Sequence, residues 1–185
     1  FNLPYGIIAE REYDAIIIRH KDSENRENSP IEPVDLKIPG CTPLPERKIA
    51  VITELFDYKK EMQIPKNCCI KWFDYDKIKN AVKIRTRREG DYLCINSSGG
   101  IKKLKNYFID AKIPRKSRDS QLLIADGSHI MWLPEAGSRI SEYYKVSENT
   151  RKILLIKLIE MEGDNYDRQN KSNDIGRTDR EESQG

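Results

Sequence analysis

Hydrophobic and polar residues alternate along several short segments of the chain, a pattern typical of β-strands with one buried face. The alternation is cleanest over residues 81–86, where apolar and cationic side chains take turns. Successive side chains of a strand point to opposite faces, so Lys83, Arg85 and Arg87 are predicted to form a cationic row on one exposed face. Further strands are predicted by apolar segments at 15–19, 48–57, 122–125, 129–133 and 153–159.

A different spacing of apolar residues follows the Gly-rich segment that ends at residue 100. These residues recur three or four positions apart, at Ile101, Leu104, Phe108 and Ala111. Such spacing predicts one face of an α-helix over 101–111, with Ser98 as its N-cap and Pro114 as its stop. Lys102 and Lys105 are expected on one exposed side of this helix. A short basic turn is expected after Pro114.

The distribution of these elements predicts an α+β, β-rich fold in three parts. Residues 1–73 form a β-rich N-terminal block, in which several prolines argue against long helices. Residues 74–163 form a second block that holds the helix and the last strands. Residues 164–185 are polar and acidic with almost no apolar side chain, so we expect a disordered tail.

Composition narrows the class of protein. Hydrophobic residues make up 37% of the 185 residues and charged residues 34%, and no apolar run approaches the ~20 residues of a membrane span. Acidic residues fall where a signal peptide would need an apolar core, so a cytoplasmic protein without a membrane partner is expected. The chain starts at Phe1 rather than Met, which suggests a fragment of a longer protein.

Positive charge is concentrated in one stretch. Residues 82–118 contain eleven basic and three acidic residues, whereas the whole chain has a net charge of only +3. Such a concentration is typical of a surface that binds a polyanion. From charge alone, a solvated face of a small domain is an equally good interpretation.

The residue types that would carry catalysis or metal binding are sparse. The chain has four cysteines and two histidines, without the spacing of a zinc site, so reduced structural thiols and no metal are expected. Asp74 and Asp76 are interpreted as a turn or cap. His129, Trp72 and Trp132 are interpreted as packed side chains, and no catalytic residue is predicted.

The segment at 97–100, Ser-Ser-Gly-Gly, has only part of a phosphate-binding pattern. A Ser-Gly-Gly-x-Asp-Ser loop holds the pyrophosphate of ATP in one class of nucleotide-binding enzymes, but here Ile101-Lys102-Lys103 follows, and the Asp and Ser are missing. A turn before a helix is therefore the preferred interpretation, and no cofactor is assigned to these residues.

Three basic motifs occur in an order that resembles a known family. They are Arg-Thr-Arg-Arg-Glu-Gly-Asp at 85–91, Gly-Ile-Lys-Lys-Leu-Lys at 100–105 and Lys-Ile-Pro-Arg at 112–115 with Arg118-Asp119. A hairpin containing Ile130-Met131-Trp132 and an Ile140-Ser141 segment follow. Together they resemble the C-terminal domain of bacterial tRNA(Ile)-lysidine synthetases over residues 73–160, and more loosely over 1–72.

This resemblance implies a fold and a division of labour. The fold would be a three-layer α+β domain with a β-sandwich-like core, similar to an editing-region domain of phenylalanyl-tRNA synthetase. Enzymes of the family use ATP to attach lysine to the wobble cytidine of tRNA(Ile). The resemblance places that chemistry, with its ATP and Mg²⁺, in an N-terminal catalytic domain, so this chain alone is expected to be inactive.

The resemblance also implies a tRNA-binding role for the basic residues, with tRNA(Ile) and the family's own catalytic domain as partners. The predicted contact residues are Lys83, Arg85, Arg87, Arg88, Lys102, Lys103, Lys105, Lys112, Arg115 and Arg118. Two alternatives stay open: a structural domain that docks on its catalytic domain without touching RNA, and a freestanding enzyme.

Overall fold

The computed structural model of the protein describes the backbone of residues 2–3, 7–12, 15–20, 29–65 and 68–161, and the side chains of the last two ranges. The strands are β1 Asn2–Leu3, β2 Ile7–Glu12, β3 Ala15–His20, β4 Val34–Asp35, β5 Gly40–Leu44, β6 Ile49–Asp57, β7 Ile70–Asp74, β8 Val82–Arg85, β9 Tyr92–Cys94, β10 Ile101–Lys103, β11 Leu123–Asp126, β12 His129–Leu133, β13 Arg139–Ile140 and β14 Lys152–Glu160. The helix in these ranges is α1, Leu104–Asp110. Short 3₁₀ turns occur at Pro45–Arg47, Tyr75–Lys77, Arg115–Ser117 and Glu142–Tyr144.

The strands form three sheets. β1, β2 and β3 pair in chain order as a three-stranded antiparallel sheet. A seven-stranded sheet has the order β10-β9-β12-β11-β8-β4, with β13 paired to β12. A four-stranded antiparallel sheet has the order β5-β6-β14-β7. The one parallel contact among these pairs joins β9 to β12.

Two apolar clusters make the seven-stranded sheet the middle layer of the domain. One cluster fills the space between this sheet and the four-stranded sheet, with Trp132 and Ile84 on one side and Phe73 and Leu154 on the other. The second cluster joins the opposite face of the same sheet to Phe108 and its neighbours on α1. The α+β, β-rich, three-layer architecture is therefore confirmed.

Most of the predicted strands are present. The apolar segments at 15–19, 48–57 and 153–159 correspond to β3, β6 and β14. The predicted hairpin is β11–β12, closed by the turn at Gly127 with a φ of 63°. Met131 is an extra residue in its register, and this bulge lets Met131 and Trp132 both contribute to the core between the sheets.

The proposed division of the chain between residues 73 and 74 stays a prediction. The four-stranded sheet takes β5 and β6 from the first block and β14 from the second, and β7 ends at Asp74. The predicted acidic tail, 164–185, lies outside the described residues. No helix within the described ranges combines the length and hydropathy needed to cross a bilayer.

The predicted start of the helix is wrong. Residues 101–103 pair with β9 as strand β10, and α1 begins only at Leu104. Ser98 is not an N-cap, because it lies in the hairpin loop between β9 and β10. In that loop Asn96 Oδ1 accepts hydrogen bonds from Gly100 N–H at 2.7 Å and Ser98 Oγ at 2.9 Å. Hydrogen bonding to a sheet edge outweighs helical spacing over these three residues.

The end of α1 is set by a left-handed residue, Lys112, with a φ of 55°. The Lys112 N–H donates to Ile109 O at 3.0 Å and the Ile113 N–H donates to Phe108 O at 2.9 Å, the two bonds of a Schellman motif. Ile113 packs against the cluster that contains Phe108. Pro114 follows, so the predicted end of the helix is confirmed.

Candidate nucleic-acid interface

Arg85 does not lie on an exposed face, and that prediction is wrong. Arg85 is 3% exposed and Asp91 4% exposed. Arg85 Nη1 and Nη2 donate to Asp91 Oδ2 and Oδ1 at 2.8 and 2.7 Å, which makes a bidentate buried ion pair. The physical reason is that β8 belongs to the middle layer. Arg85 pairs with Leu123 of the cluster that packs against α1, so the face that carries Arg85 is covered at this end of the strand.

The buried ion pair organises the loop that connects β8 to β9. Asp91 Oδ2 also accepts the Arg88 N–H at 2.7 Å, and Asp91 O accepts the Leu104 N–H at 2.8 Å. Gly90 makes the turn possible with a φ of 86°, a conformation that side chains with a Cβ rarely adopt. The pair therefore fixes the loop at 86–91 beside the first residue of α1.

Between this loop and α1 lies an open cleft of about 660 Å³, here called the basic cleft. Its lining residues are Arg87, Arg88, Glu89, Gly90, Asp91, Lys103, Leu104, Lys105 and Asp119. Arg88, Lys103 and Lys105 are exposed, and none of the three forms an ion pair with a residue in the described ranges. The cleft thus presents three unneutralised cations on a fixed backbone.

Three other predicted residues are already neutralised at the surface. Lys83 Nζ lies 2.8 Å from Asp35 Oδ1. Arg87 is paired with Asp119, and Lys102 with Asp110. The carboxylates of all three pairs are mostly exposed, and such pairs contribute little to stability. Their cations can exchange a carboxylate for another anion at low cost.

The remaining predicted residues follow the end of α1 and do not line the basic cleft. Lys112 and Arg115 are exposed. Arg118 is partly buried, and its Nε donates to Ile113 O at 2.8 Å. The structure therefore assigns a structural contact to Arg118, which holds the turn after α1, and leaves Lys112 and Arg115 at the periphery.

Sequence reasoning missed a cluster of aromatic rings around His129. The Tyr92 and His129 rings are stacked with centroids 4.7 Å apart, and Tyr143 and Tyr144 lie 5.2 and 4.6 Å from His129. The interpretation of His129 as a packed residue fits this arrangement. The adjacent tyrosines at 143–144 were the available signal, but only the fold brings them to Tyr92 and His129.

Asp126 anchors this cluster. Its carboxylate accepts hydrogen bonds from Lys79 N–H, Asn80 N–H, Asn80 Nδ2 and the Tyr144 hydroxyl, at 2.7 to 2.9 Å. Burial acts to raise the pKa of Asp126, but these hydrogen bonds outweigh it and hold the pKa below its ordinary value. Burial and the Asp126 charge raise the pKa of Tyr144. Tyr144 is thus a fixed, neutral hydrogen-bond donor.

Burial lowers the pKa of His129, and the nearby charge of Asp126 only partly opposes this effect. His129 Nε2 lies 2.9 Å from Ser141 Oγ, which already accepts the Cys94 N–H at 3.0 Å. Ser141 therefore connects the His129 ring to the backbone of β9. A neutral histidine suits a site surrounded by tyrosine rings.

The lowered pKa of His129 predicts a loss of stability in mild acid. The unfolded chain binds the proton more tightly, so the contribution is complete above the ordinary histidine pKa of 6.5 and is lost as pH falls below that value. We expect the melting temperature to fall between pH 7 and pH 5.5. The free energy of unfolding should fall by at most about 1.4 kcal/mol per pH unit, the limit for one proton. In this range Asp126 stays ionised, because its pKa is lowered from 3.8.

The measurement is a thermal melt at three pH values for the wild type, for His129→Gln and, as the matched control, for His20→Gln. The pH dependence should flatten in His129→Gln and persist in His20→Gln. An unchanged pH dependence in His129→Gln would contradict the assignment.

The cysteines and the carboxylate of Asp74 occupy positions that fit structural roles. All four cysteines are free thiols, and Cys68 Sγ lies 3.3 Å from Cys69 Sγ. Asp74 Oδ2 accepts the Thr150 hydroxyl at 2.8 Å and lies 3.2 Å from Lys77 Nζ beside the turn at Tyr75–Lys77, as its interpretation as a turn residue expects. Within the described ranges, no three His, Cys, Asp or Glu side chains are grouped to hold a metal ion.

Comparison with known proteins shows which sequences this chain resembles. The model of the TilS substrate C-terminal domain family matches residues 82–156. The chain is 38% identical over 160 residues to a tRNA(Ile)-lysidine synthase of Caldanaerobacter subterraneus subsp. tengcongensis. The aligned region covers 84% of this chain and 32% of that protein. It is 45% identical over 93 residues to the tRNA(Ile)-lysidine synthase of Clostridium tetani. This aligned region covers 50% of this chain and 20% of that protein. The chain therefore spans about a third of the length of the relatives that match most of it.

A solved structure gives a match at the level of the domain. A crystal structure of a TilS C-terminal domain superposes with a TM-score of 0.55 and 30% sequence identity, and the match covers 71% of this chain and 98% of that domain. The residues matched by the family model, 82–156, include β8, the residues that line the basic cleft and α1. By its sequence and its fold, the chain belongs to the TilS C-terminal domain family.

Proposed function

We propose that the chain is a tRNA-binding module of a tRNA(Ile)-lysidine synthase and that the basic cleft holds the RNA backbone. Relatives that match more than four-fifths of this chain carry that enzyme name. In this proposal, ATP-dependent attachment of lysine to the wobble cytidine takes place in the catalytic domain of the whole protein, which binds ATP and Mg²⁺. The module supplies grip on tRNA(Ile) in the cytoplasm.

The observation that carries the proposal is the set of three cations around the basic cleft. Arg88 lies on the loop held by the buried ion pair, Lys103 ends β10 and Lys105 lies in the first turn of α1. A cation without a carboxylate partner gives up no ion pair when it meets a phosphate. Phosphate contacts position a protein on nucleic acid and supply affinity that does not depend on sequence. A double-stranded RNA stem offers phosphates and 2′-hydroxyls to such a surface.

Neighbouring residues fill supporting roles. Lys83, Arg87 and Lys102 extend the surface by exchanging an exposed carboxylate for a phosphate. Arg85 is a positioning residue, because its guanidinium donates hydrogen bonds to Asp91, Thr86 O and Gly127 O. Lys112 and Arg115 extend the contact along the RNA, next to the turn that Arg118 holds.

The proposal predicts salt-sensitive binding of tRNA(Ile) by the 185-residue chain. Each neutralised phosphate lowers log K by about 0.7–0.9 per unit of log salt. The contacts of Arg88, Lys103 and Lys105 alone therefore contribute about −2 to −3 to the slope, and the supporting cations make it steeper. Binding is measured by anisotropy of labelled tRNA at 50 and 200 mM salt. A slope near zero, or no binding at low salt, would favour the rival function, a module that docks on its own catalytic domain.

A further inference from the structure

Beside the basic cleft lies a second, smaller cleft of about 270 Å³, here called the aromatic cleft. The rings of Tyr92, His129 and Tyr143 line it, together with Ile101 and Lys79. Its size is just below that of typical small-ligand pockets, which start near ~300 Å³. The proposed grip on the RNA backbone does not use it.

Two large side chains of this cleft are exposed although they are suited to burial. Ile101 is 68% exposed and Tyr143 is 39% exposed. The side chains behind them are fixed: Tyr144 donates to Asp126 Oδ2 at 2.9 Å, and His129 is held by Ser141 at 2.9 Å. The cleft is thus a rigid aromatic wall with an open apolar edge, which is a surface on which a flat ring can stack.

The charge around the aromatic cleft suits an anionic ligand. Lys79 is exposed and its ammonium forms no ion pair with a described residue. Lys77 also lines the cleft, and its ammonium is held 3.2 Å from Asp74 Oδ2 and 3.1 Å from Lys145 O. The Asp126 carboxylate also lines the cleft, but it already accepts four hydrogen bonds. An aromatic wall beside an available cation is how proteins bind unpaired nucleotides.

Strand β10 connects the two clefts. Ile101 pairs with Cys94, and Lys103 pairs with Tyr92, so both side chains leave the strand on the same face. Ile101 lines the aromatic cleft and Lys103 lines the basic cleft. Two residues along a strand span about 7 Å, a distance that one RNA strand can bridge.

We propose that the aromatic cleft binds one unpaired base of the RNA whose backbone occupies the basic cleft, an inference that rests on the proposed function. The base stacks on Tyr143 at the edge formed by Ile101, and Lys79 contacts the phosphate next to it. Because every base has an aromatic face, this site distinguishes unpaired from paired RNA and not one sequence from another.

The experiment compares two RNA hairpins with the same stem and the same non-nucleotide linker in place of the loop, one blunt and one with an unpaired 3′ extension that contains 2-aminopurine. Both are titrated with the 185-residue chain and with four variants. Tyr143→Ala and Ile101→Ser remove parts of the aromatic cleft, Tyr143→Phe keeps the ring, and Lys105→Ala tests the basic cleft. Near-ultraviolet circular dichroism checks that each variant is folded.

The wild type is expected to bind the extended hairpin at least about fivefold more tightly than the blunt one, the lower limit for one stacked base, with quenching of 2-aminopurine. Tyr143→Ala and Ile101→Ser should remove this difference and the quenching, and Tyr143→Phe should keep both. Lys105→Ala should weaken both hairpins by the same factor.

Loss of the base-binding site and loss of RNA binding as a whole give different results. Equal affinity for both hairpins in the wild type, or unchanged quenching in Tyr143→Ala and Ile101→Ser, would overturn the base-binding site and leave the proposed function intact. Failure of the wild type to bind either hairpin would overturn both. If the aromatic cleft instead receives a protein segment, the variants will bind RNA like the wild type, which also overturns the inference.

Discussion

Replacement of Asp91 by alanine is expected to lower the free energy of unfolding by about 3–5 kcal/mol, the range measured when one partner of a buried ion pair is removed. Asp91 is 4% exposed, and its loss leaves the Arg85 guanidinium, 3% exposed, without its carboxylate. The Arg88 N–H loses its acceptor at the same time. Denaturation in urea measures the change.

A matched control separates burial from charge. Asp119→Ala removes a carboxylate from the exposed pair with Arg87 and should cost less than about 1 kcal/mol, as exposed pairs usually do. The double variant Arg85→Met with Asp91→Leu should recover much of the stability lost in Asp91→Ala, because it leaves no charge buried without a partner. Equal costs for Asp91→Ala and Asp119→Ala would contradict the assignment.

The double variant also tests why the pair is present. An apolar replacement can restore the core, but it cannot accept the Arg88 N–H with a carboxylate oxygen. We therefore regard the ion pair as a device that shapes the loop at 86–91, which lines the basic cleft. Its value lies in the placement of Arg88 more than in net stability.

The strands could be predicted because their period of two residues is local information. Within β6, and likewise within β14, the apolar residues are close in sequence, so each segment alone indicates a strand. The same local information misplaced Arg85. Alternation at β8 shows that its two faces differ, but only the packing of the sheet between two other layers shows that both faces are covered at the end of β8.

The candidate site was predictable in part for the same reason. Arg88, Lys103 and Lys105 belong to short basic motifs, so charge counting could find them. The aromatic cleft could not be found, because its rings come from β9, β12 and the turn at Glu142–Tyr144. Likewise, strand β10 exists only because β9 offers it hydrogen bonds.

Simultaneous replacement of Arg88, Lys103 and Lys105 by alanine is expected to weaken binding of tRNA(Ile) by more than a hundredfold. Each contact between a cation and a phosphate is worth about 1 kcal/mol at moderate salt, and 3 kcal/mol corresponds to a factor of about 150 in Kd. The salt slope should flatten by about 2 to 3 units, because three fewer counterions are released. Anisotropy titrations at 50 and 200 mM salt give both quantities.

A control with the same change in net charge is available on the four-stranded sheet and the loop after β6. Lys59, Lys60 and Lys152 are exposed and lie outside both clefts. Their replacement by alanine removes three charges from the field of the protein but no contact in the basic cleft, so tRNA affinity should fall by less than about threefold. Both triple variants should melt close to the wild type, because exposed charges contribute little to stability. If both variants lost affinity equally, the effect would come from net charge, and the basic cleft would not be the place where RNA binds.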